Sequence, residues 1–242
     1  MTVTGFEYTP ELCERFPAAT AALVLVDGID NSTCPASLAD EYRQVQRAVR
    51  ERLDRVPIAE HESIRAWRAV FTELGVKPTR YRNAAEALLR RLQRHGDLPS
   101  INPIVDIGNI VSISHALPVA VFDADRIDGV MHVTYASGGE TFEGIGASEP
   151  ETPATGEVIF IDAAEHVAAR RWCWKQGATT AAQADSTTAL LVVEAVHADR
   201  AGLDDARADL EQLVARHLPD ARIDGAQVSS SVQRATFAPP IQ

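Results

Sequence analysis

Three groups of side chains in this 242-residue chain are placed where chemistry is possible. The first lies in LPSINPIVDIGNIVSISHALPVAVFD, Leu98 to Asp123, where Asn102, Asp106 and Asn109 recur at spacings of four and three. On a helix that spacing puts two amides and a carboxylate in one stripe, able to position a water or a sugar hydroxyl. The second is Glu194, the one acid in the apolar run TALLVVEA, Thr188 to Ala195. A carboxylate there has to be paired or to line a cavity, since burial without either is strongly unfavourable. The third is Arg170, Arg171, Trp172, Trp174, Lys175 and Gln176, which set two stacking planes beside three cations and an amide. A tryptophan-anchored core edge with its cations reaching outward is the plainer reading of that cluster.

Helices and strands must hold these groups. Asn102 caps a helix that begins at Pro103, whose missing amide proton costs nothing at the first helical position. Ile104, Ile107, Val111 and Ser114 form its other face, Pro118 ends the segment, and Val119 to Phe122 reads as a buried strand. Ala22 to Val26 is a further buried strand. Leu38, Tyr42, Val45, Val49 and Leu53 make one helical stripe; Ile64, Trp67, Phe71 and Leu74 make another. Asn83 or Thr79 opens a basic helix that Gly96 closes. Strands are expected over residues 129–135, 141–143, 157–162 and 188–195, with a short helical piece after Asp162 and a last helix from Leu203 to Leu218. Helices first and strands later indicate α+β: a single domain over residues 1–224, comprising an α/β portion (1–75) and a core (76–224), followed by an irregular tail over 225–242.

Composition narrows the function classes. The net charge of −11 argues against a general polyanion binder and against DNA. Any nucleic-acid contact is local, and the stretch from Lys77 to His95 supplies one: Lys77, Arg80, Arg82, Arg90, Arg91 and Arg94 face only Glu86. A solvated face with an Arg82, Glu86, Arg90 ladder accounts for the same residues. Three widely spaced cysteines and seven unpaired histidines indicate reduced thiols, no metal and no cofactor. No apolar run reaches membrane length and the first residues do not read as a secretory signal, so a cytoplasmic location is expected. Ser112, Ser114 and His115 adjoin in sequence, but adjacency is not triad geometry.

Leu98-Pro99, Asn102, Val105-Asp106, Asn109, Val111, Pro118, Phe122-Asp123, Gly156-Glu157, Asp162 and the run from Thr188 to Glu194 recur in an order that resembles the B3/B4 domain of the phenylalanyl-tRNA synthetase β subunit. The helix from Tyr81 to Leu92 and the Arg171, Trp172, Trp174 cluster resemble its free-standing members. The resemblance covers about residues 10 to 220. It implies a B3/B4-like fold with a mixed or antiparallel sheet among helices. It also implies an editing activity, hydrolysis of the ester that joins a wrong amino acid to tRNA.

Carried over residue by residue, the family's acidic pocket residue falls on Glu194. Its threonine falls on Gly108, its histidine on Ala120 or Val121, and a small residue of the pocket floor near Trp174. Those replacements imply a specificity other than tyrosine, with His115 as a candidate replacement imidazole; a surface or core histidine is the plainer reading. The resemblance therefore suggests Asn102, Asp106, Asn109 and Glu194 as catalytic residues. Gly108, His115, Ala120, Trp172, Trp174, Gln176 and Thr188 would contact substrate, the tryptophans by stacking on the terminal adenine. Arg80, Arg82, Arg90, Arg91, Arg94, Arg171 and Lys175 would contact the tRNA. A tRNA-binding module that kept the fold without the reaction is the alternative.

Overall fold

The strand Thr20–Asp27 (β2), apolar on both faces, can only be a central strand with a layer packed on either side. The computed structural model, which describes residues 2–197 and 201–237, shows those layers. Thr188–Ala195 (β8) and Arg222–Ser229 (β9) flank β2, and Val119–Asp123 (β3) pairs with the outer side of β8. The result is an antiparallel four-stranded sheet in the order β3-β8-β2-β9. One face is covered by the helices Ala36–Leu53 (α2), Ala84–His95 (α4), Pro103–His115 (α5) and Ala201–His217 (α6). The other packs against a mixed six-stranded sheet, built from Val3–Tyr8 (β1), Gly129–Tyr135 (β4), Val158–Ile161 (β5), Val167–Arg170 (β6), Lys175–Gln176 (β7) and Arg234–Thr236 (β10). Its order is β10-β1-β4-β5-β6-β7, with β1 and β4 parallel and the other pairs antiparallel. The helices Pro10–Arg15 (α1) and Glu62–Glu73 (α3) pack into this second core through Leu12, Cys13, Trp67, Val70 and Phe71.

Alternation along β8 divides the molecule. Ala189, Leu191, Val193 and Ala195 face the helices, whereas Leu190 and Val192 face the second sheet. Glu194 shares the parity of the latter pair, so its carboxylate enters the layer between the sheets. On β3, Val121 faces the helices and Phe122 the second sheet. At Gly108 of α5 a Cβ would stand 2.7 Å from Val121 Cγ2, so glycine is what lets α5 lie close on β3.

The α+β class follows the sequence, but three segments depart from it. The helical piece expected after Asp162 is the strand β6. The Asp162 carboxylate accepts from the amides of Asp128, Ala164 and His166, and the reversed chain enters a hairpin. The expected strand over 141–143 is reduced to a single Phe142–Glu151 bridge. The expected irregular tail instead contributes β9, an edge strand that lacks an apolar period because its first half faces water, and β10; residues 238–242 lie outside the described residues. The N-terminal portion is not set apart either, since β1 and β2 sit inside the two sheets beside strands from the second half. No helix among the described residues is long and apolar enough to cross a membrane.

Candidate functional site

Glu194 is buried between the two sheets and held at one oxygen. The Tyr8 hydroxyl donates to its Oε1 at 2.6 Å and the Trp172 indole N–H to the same atom at 2.7 Å. No described group bonds Oε2, while Glu194 lines a narrow cleft of about 50 Å³. Burial pushes the carboxyl up to about 7, with the bonds from Tyr8 and Trp172 pulling the other way. The group therefore changes charge near neutrality while its position stays fixed.

The cleft opens at β3, the edge strand. Its walls are Pro118, Val119, Ala120, Phe160, Ala169, Trp172, Cys173 and Trp174, with Ala84 of α4 and with Lys175 and Gln176. Apolar walls around one carboxylate suit a small ligand with an apolar body and one cationic or hydrogen-bonding group. The β6–β7 hairpin builds one side through a strained turn: Arg171 and Trp172 both take left-handed backbone conformations, at φ 45° and 63°. Each costs about 1–3 kcal/mol and persists only where surrounding contacts enforce it. Here they do. Trp172 is enclosed edge-to-face by Phe16, Trp67 and Tyr8, and the Ala84 amide donates to the Cys173 carbonyl at 2.8 Å, tying the turn to the start of α4.

Among the expected substrate contacts, Ala120, Trp172, Trp174 and Gln176 therefore line one cleft with Glu194. Trp172 is not a stacking plane for a base, because it is fully buried among rings; it orients Glu194. Gln176 Nε2 donates to the Val121 carbonyl at 2.5 Å. The remaining expected contacts lie elsewhere. Thr188 is at the far end of β8, where its hydroxyl donates to Asp27 at 3.2 Å. His115 Nε2 lies 2.7 Å from Asp209 of α6. Gly108 packs against β3 on the helical side.

The polar row of α5 also lies on the helical side, so the four-stranded sheet separates it from Glu194 and α5 is not the pocket wall. Asn102 is the N-cap, accepting from the Val105 amide at 3.0 Å and donating to the Ala182 carbonyl at 3.1 Å. Asp106 accepts from the Ile101 amide at 2.9 Å on Oδ1 and from the Ser100 hydroxyl on Oδ2, where Cys34 Sγ also approaches at 4.0 Å. Asn109 neighbours the buried Tyr42 hydroxyl. These polar groups secure α5 to its neighbours rather than facing the cleft.

The basic helix divides into two sets of arginines. Glu86 is buried, and Arg68 and Arg90 converge on its Oε1 at 2.5 and 2.7 Å, with Arg82 at 3.7 Å. Desolvation raises Glu86, but the bonds from Arg68 and Arg90 outweigh it and hold the carboxyl below its ordinary range. Arg68, from α3, is the partner that a one-helix ladder misses. Arg80, Arg91 and Arg94 are exposed. The Arg171 guanidinium lies 4.0 Å from the Tyr81 ring centre and 4.6 Å from that of Trp174, and Arg80 lies 5.0 Å from Tyr81. Lys175 pairs with Glu151 at 3.1 Å. Tyr8, the anchor of Glu194, was not among the expected site residues. The signal was in the chain: Phe6 and Tyr8 alternate in a β-prone segment, marking a buried strand face with one polar tip.

Comparison with known proteins places a match to the B3/4 domain model over residues 66–227. The phenylalanine-tRNA ligase beta subunit of Neisseria meningitidis serogroup B is 46% identical over 54 residues, covering 22% of this chain and 7% of that subunit. The corresponding subunit of Ruegeria pomeroyi is 34% identical over 80 residues, covering 33% of this chain and 10% of its own length. The matched stretches thus span no more than a tenth of these curated relatives. An N-terminal fragment of the phenylalanyl-tRNA synthetase beta subunit from Pyrococcus horikoshii aligns with 94% of this chain and 55% of the fragment, at a TM-score of 0.49 and 12% identity.

Proposed function

This chain belongs to the B3/4 domain family, and from that premise we propose that it is an aminoacyl-tRNA deacylase acting in trans in the cytoplasm. The observation that carries this reading is Glu194: a buried carboxylate that lines a small, mostly apolar cleft and has one oxygen fixed by Tyr8 and Trp172, with no described group bonded to the other. Ionised, it pairs with the ammonium of an aminoacyl ester or with a polar group on its side chain. Ala120, Phe160 and Trp174 enclose the rest, and the absence of a histidine at Ala120 supports an amino acid other than tyrosine.

Water adds to the ester carbonyl, the carbon–oxygen bond to the ribose breaks, and the ribose oxygen takes up the proton that the water gives up. Because an aminoacyl ester is already activated, orientation of the ester and of water supplies much of the rate without a covalent intermediate. The start of α4 borders the cleft at Ala84, and Arg91 and Arg94 lie about 10–15 Å further along that helix, in reach of acceptor-stem phosphates. Arg80 and Arg171 on Tyr81 are the nearer cations.

One observation favours the second reading, a tRNA-binding module without hydrolysis. Lys175 and Gln176, polar neighbours of Glu194 in the cleft, are already committed to Glu151 and to the Val121 carbonyl. Following amino-acid release from a panel of aminoacylated tRNAs separates the two. The deacylase accelerates hydrolysis of at least one of them, whereas the module binds tRNA and accelerates none.

A further inference from the structure

On the helical layer, away from the sheet face that carries Glu194, α2 and α6 bring a serine, a histidine and a glutamate into a relay. His217, the last residue of α6, is buried; its Nδ1 lies 3.1 Å from Ser37 Oγ and its Nε2 lies 2.7 Å from Glu41 Oε2. A carboxylate facing Nε2 fixes the proton there, so Nδ1 keeps its lone pair and the Ser37 hydroxyl donates to it. Arg216 also bonds Glu41, at 2.7 and 2.9 Å, and holds the carboxylate in place. Ser37 itself is exposed. It occupies the first turn of an 18-residue helix that lacks a side-chain cap, and the amide protons of such a turn have no intrahelical acceptors. Two clefts meet at His217, one bordered by Ser37, Asp40 and Glu41 and the other by Asp30 and Asp220.

We propose that Ser37, His217 and Glu41 form a second, nucleophilic site that transfers acyl groups from short neutral or cationic esters. Ser37 Oγ adds to the ester carbonyl while its proton passes to His217 Nδ1, and the first-turn amides of α2 receive the developing oxyanion. The bond to the alkoxide breaks and the alcohol departs with that proton. Water then attacks the acyl-serine by the same route, giving up its proton through His217, releasing the acid and restoring the hydroxyl. Asp30 and Asp220, which border the second cleft without a cation in its lining, disfavour anionic donors.

Treatment of the full chain with an uncharged alkyl fluorophosphonate, from which a reactive serine displaces fluoride, tests this by peptide mass mapping. The expected product is a single phosphonyl group on Ser37, absent in Ser37→Ala. His217→Gln slows the labelling at least about a hundredfold, the scale of a lost general base, and Glu41→Gln slows it about tenfold. Thermal melts of both variants establish that they are folded; Glu41, being partly exposed, serves if His217→Gln does not fold. A merely structural tie between α2 and α6 leaves Ser37 as inert as Ser32. No adduct at Ser37, or an adduct formed at the wild-type rate in a folded Glu41→Gln protein, overturns the proposal.

Discussion

Glu194 and Asp106 are both carboxylates taken out of water, and burial raises both above the ordinary carboxyl range, yet they are wired differently. Asp106 spends both oxygens on its own surroundings, the Ile101 amide on one and the Ser100 hydroxyl on the other. Glu194 takes both of its bonds on a single oxygen, and the residue lines a cleft. Burial and polarity alone therefore do not mark a functional group; an unspent bonding position on a residue that lines a cleft does. Glu86 is a third case, in which arginines from two helices neutralise the acid and hold it ionised.

The largest effect that can break this comparison is in pH dependence. Between the ordinary glutamate value of 4.5 and about 7, the unfolded chain has Glu194 ionised while the folded protein keeps it protonated. Folding then takes up a proton, and stability falls as pH rises through that window, levelling above it. Relative to Glu194→Gln, the wild type loses about 3 kcal/mol from this group between pH 4.5 and 7.5, measured by urea denaturation at each pH. Parallel stability profiles for the two proteins contradict the assignment.

Glu86→Gln leaves Arg68 and Arg90 facing a neutral amide in a partly buried site. It costs about 2 kcal/mol at neutral pH in the same measurement, less than for a fully buried pair because the arginines are partly exposed. Asp106→Asn loses one of the bonds made by a saturated carboxylate and costs about 1 kcal/mol. It leaves the pH slope assigned to Glu194 in place, which sharpens the contrast between the two acids. The smallest effect on stability is expected from replacing the exposed Arg91 and Arg94 together by Gln. Stability stays within about 0.5 kcal/mol, but the slope of log tRNA affinity against log salt falls by about 1.5, read from binding titrations at several salt concentrations.

Much of the scaffold was legible because it rests on local periodicity. The α4 cap at Asn83 and its glycine stop, the Asn102–Pro103 start of α5 and the full span of β8 can each be read from a few adjacent residues. Glu194 was legible for the same reason, as one charge in an apolar strand. The partners were not. Tyr8 is 186 residues from Glu194, and pairing them requires knowing that β1 and β8 belong to sheets packed face to face. The polar row of α5 misled because a helix stripe can face a neighbouring helix as readily as a cavity, and its local bonds to Ser100 and Ile101 satisfy it without any ligand. β6 and β9 were missed because a turn made by Asp162 and an edge position leave no amphipathic period to read.

The most direct test of the central claim, that Glu194 is the ligand-facing carboxylate of a deacylase, compares wild type and Glu194→Gln on aminoacylated tRNAs at pH 7.5. The substitution keeps the size of the side chain and an oxygen for Tyr8 and Trp172, so the fold stays intact. The account predicts that the wild type hydrolyses at least one noncognate aminoacyl-tRNA and that the variant loses about a hundredfold or more of that rate, the scale of a lost charged contact in an enclosed site, while still binding tRNA. Equal rates in the two proteins contradict it.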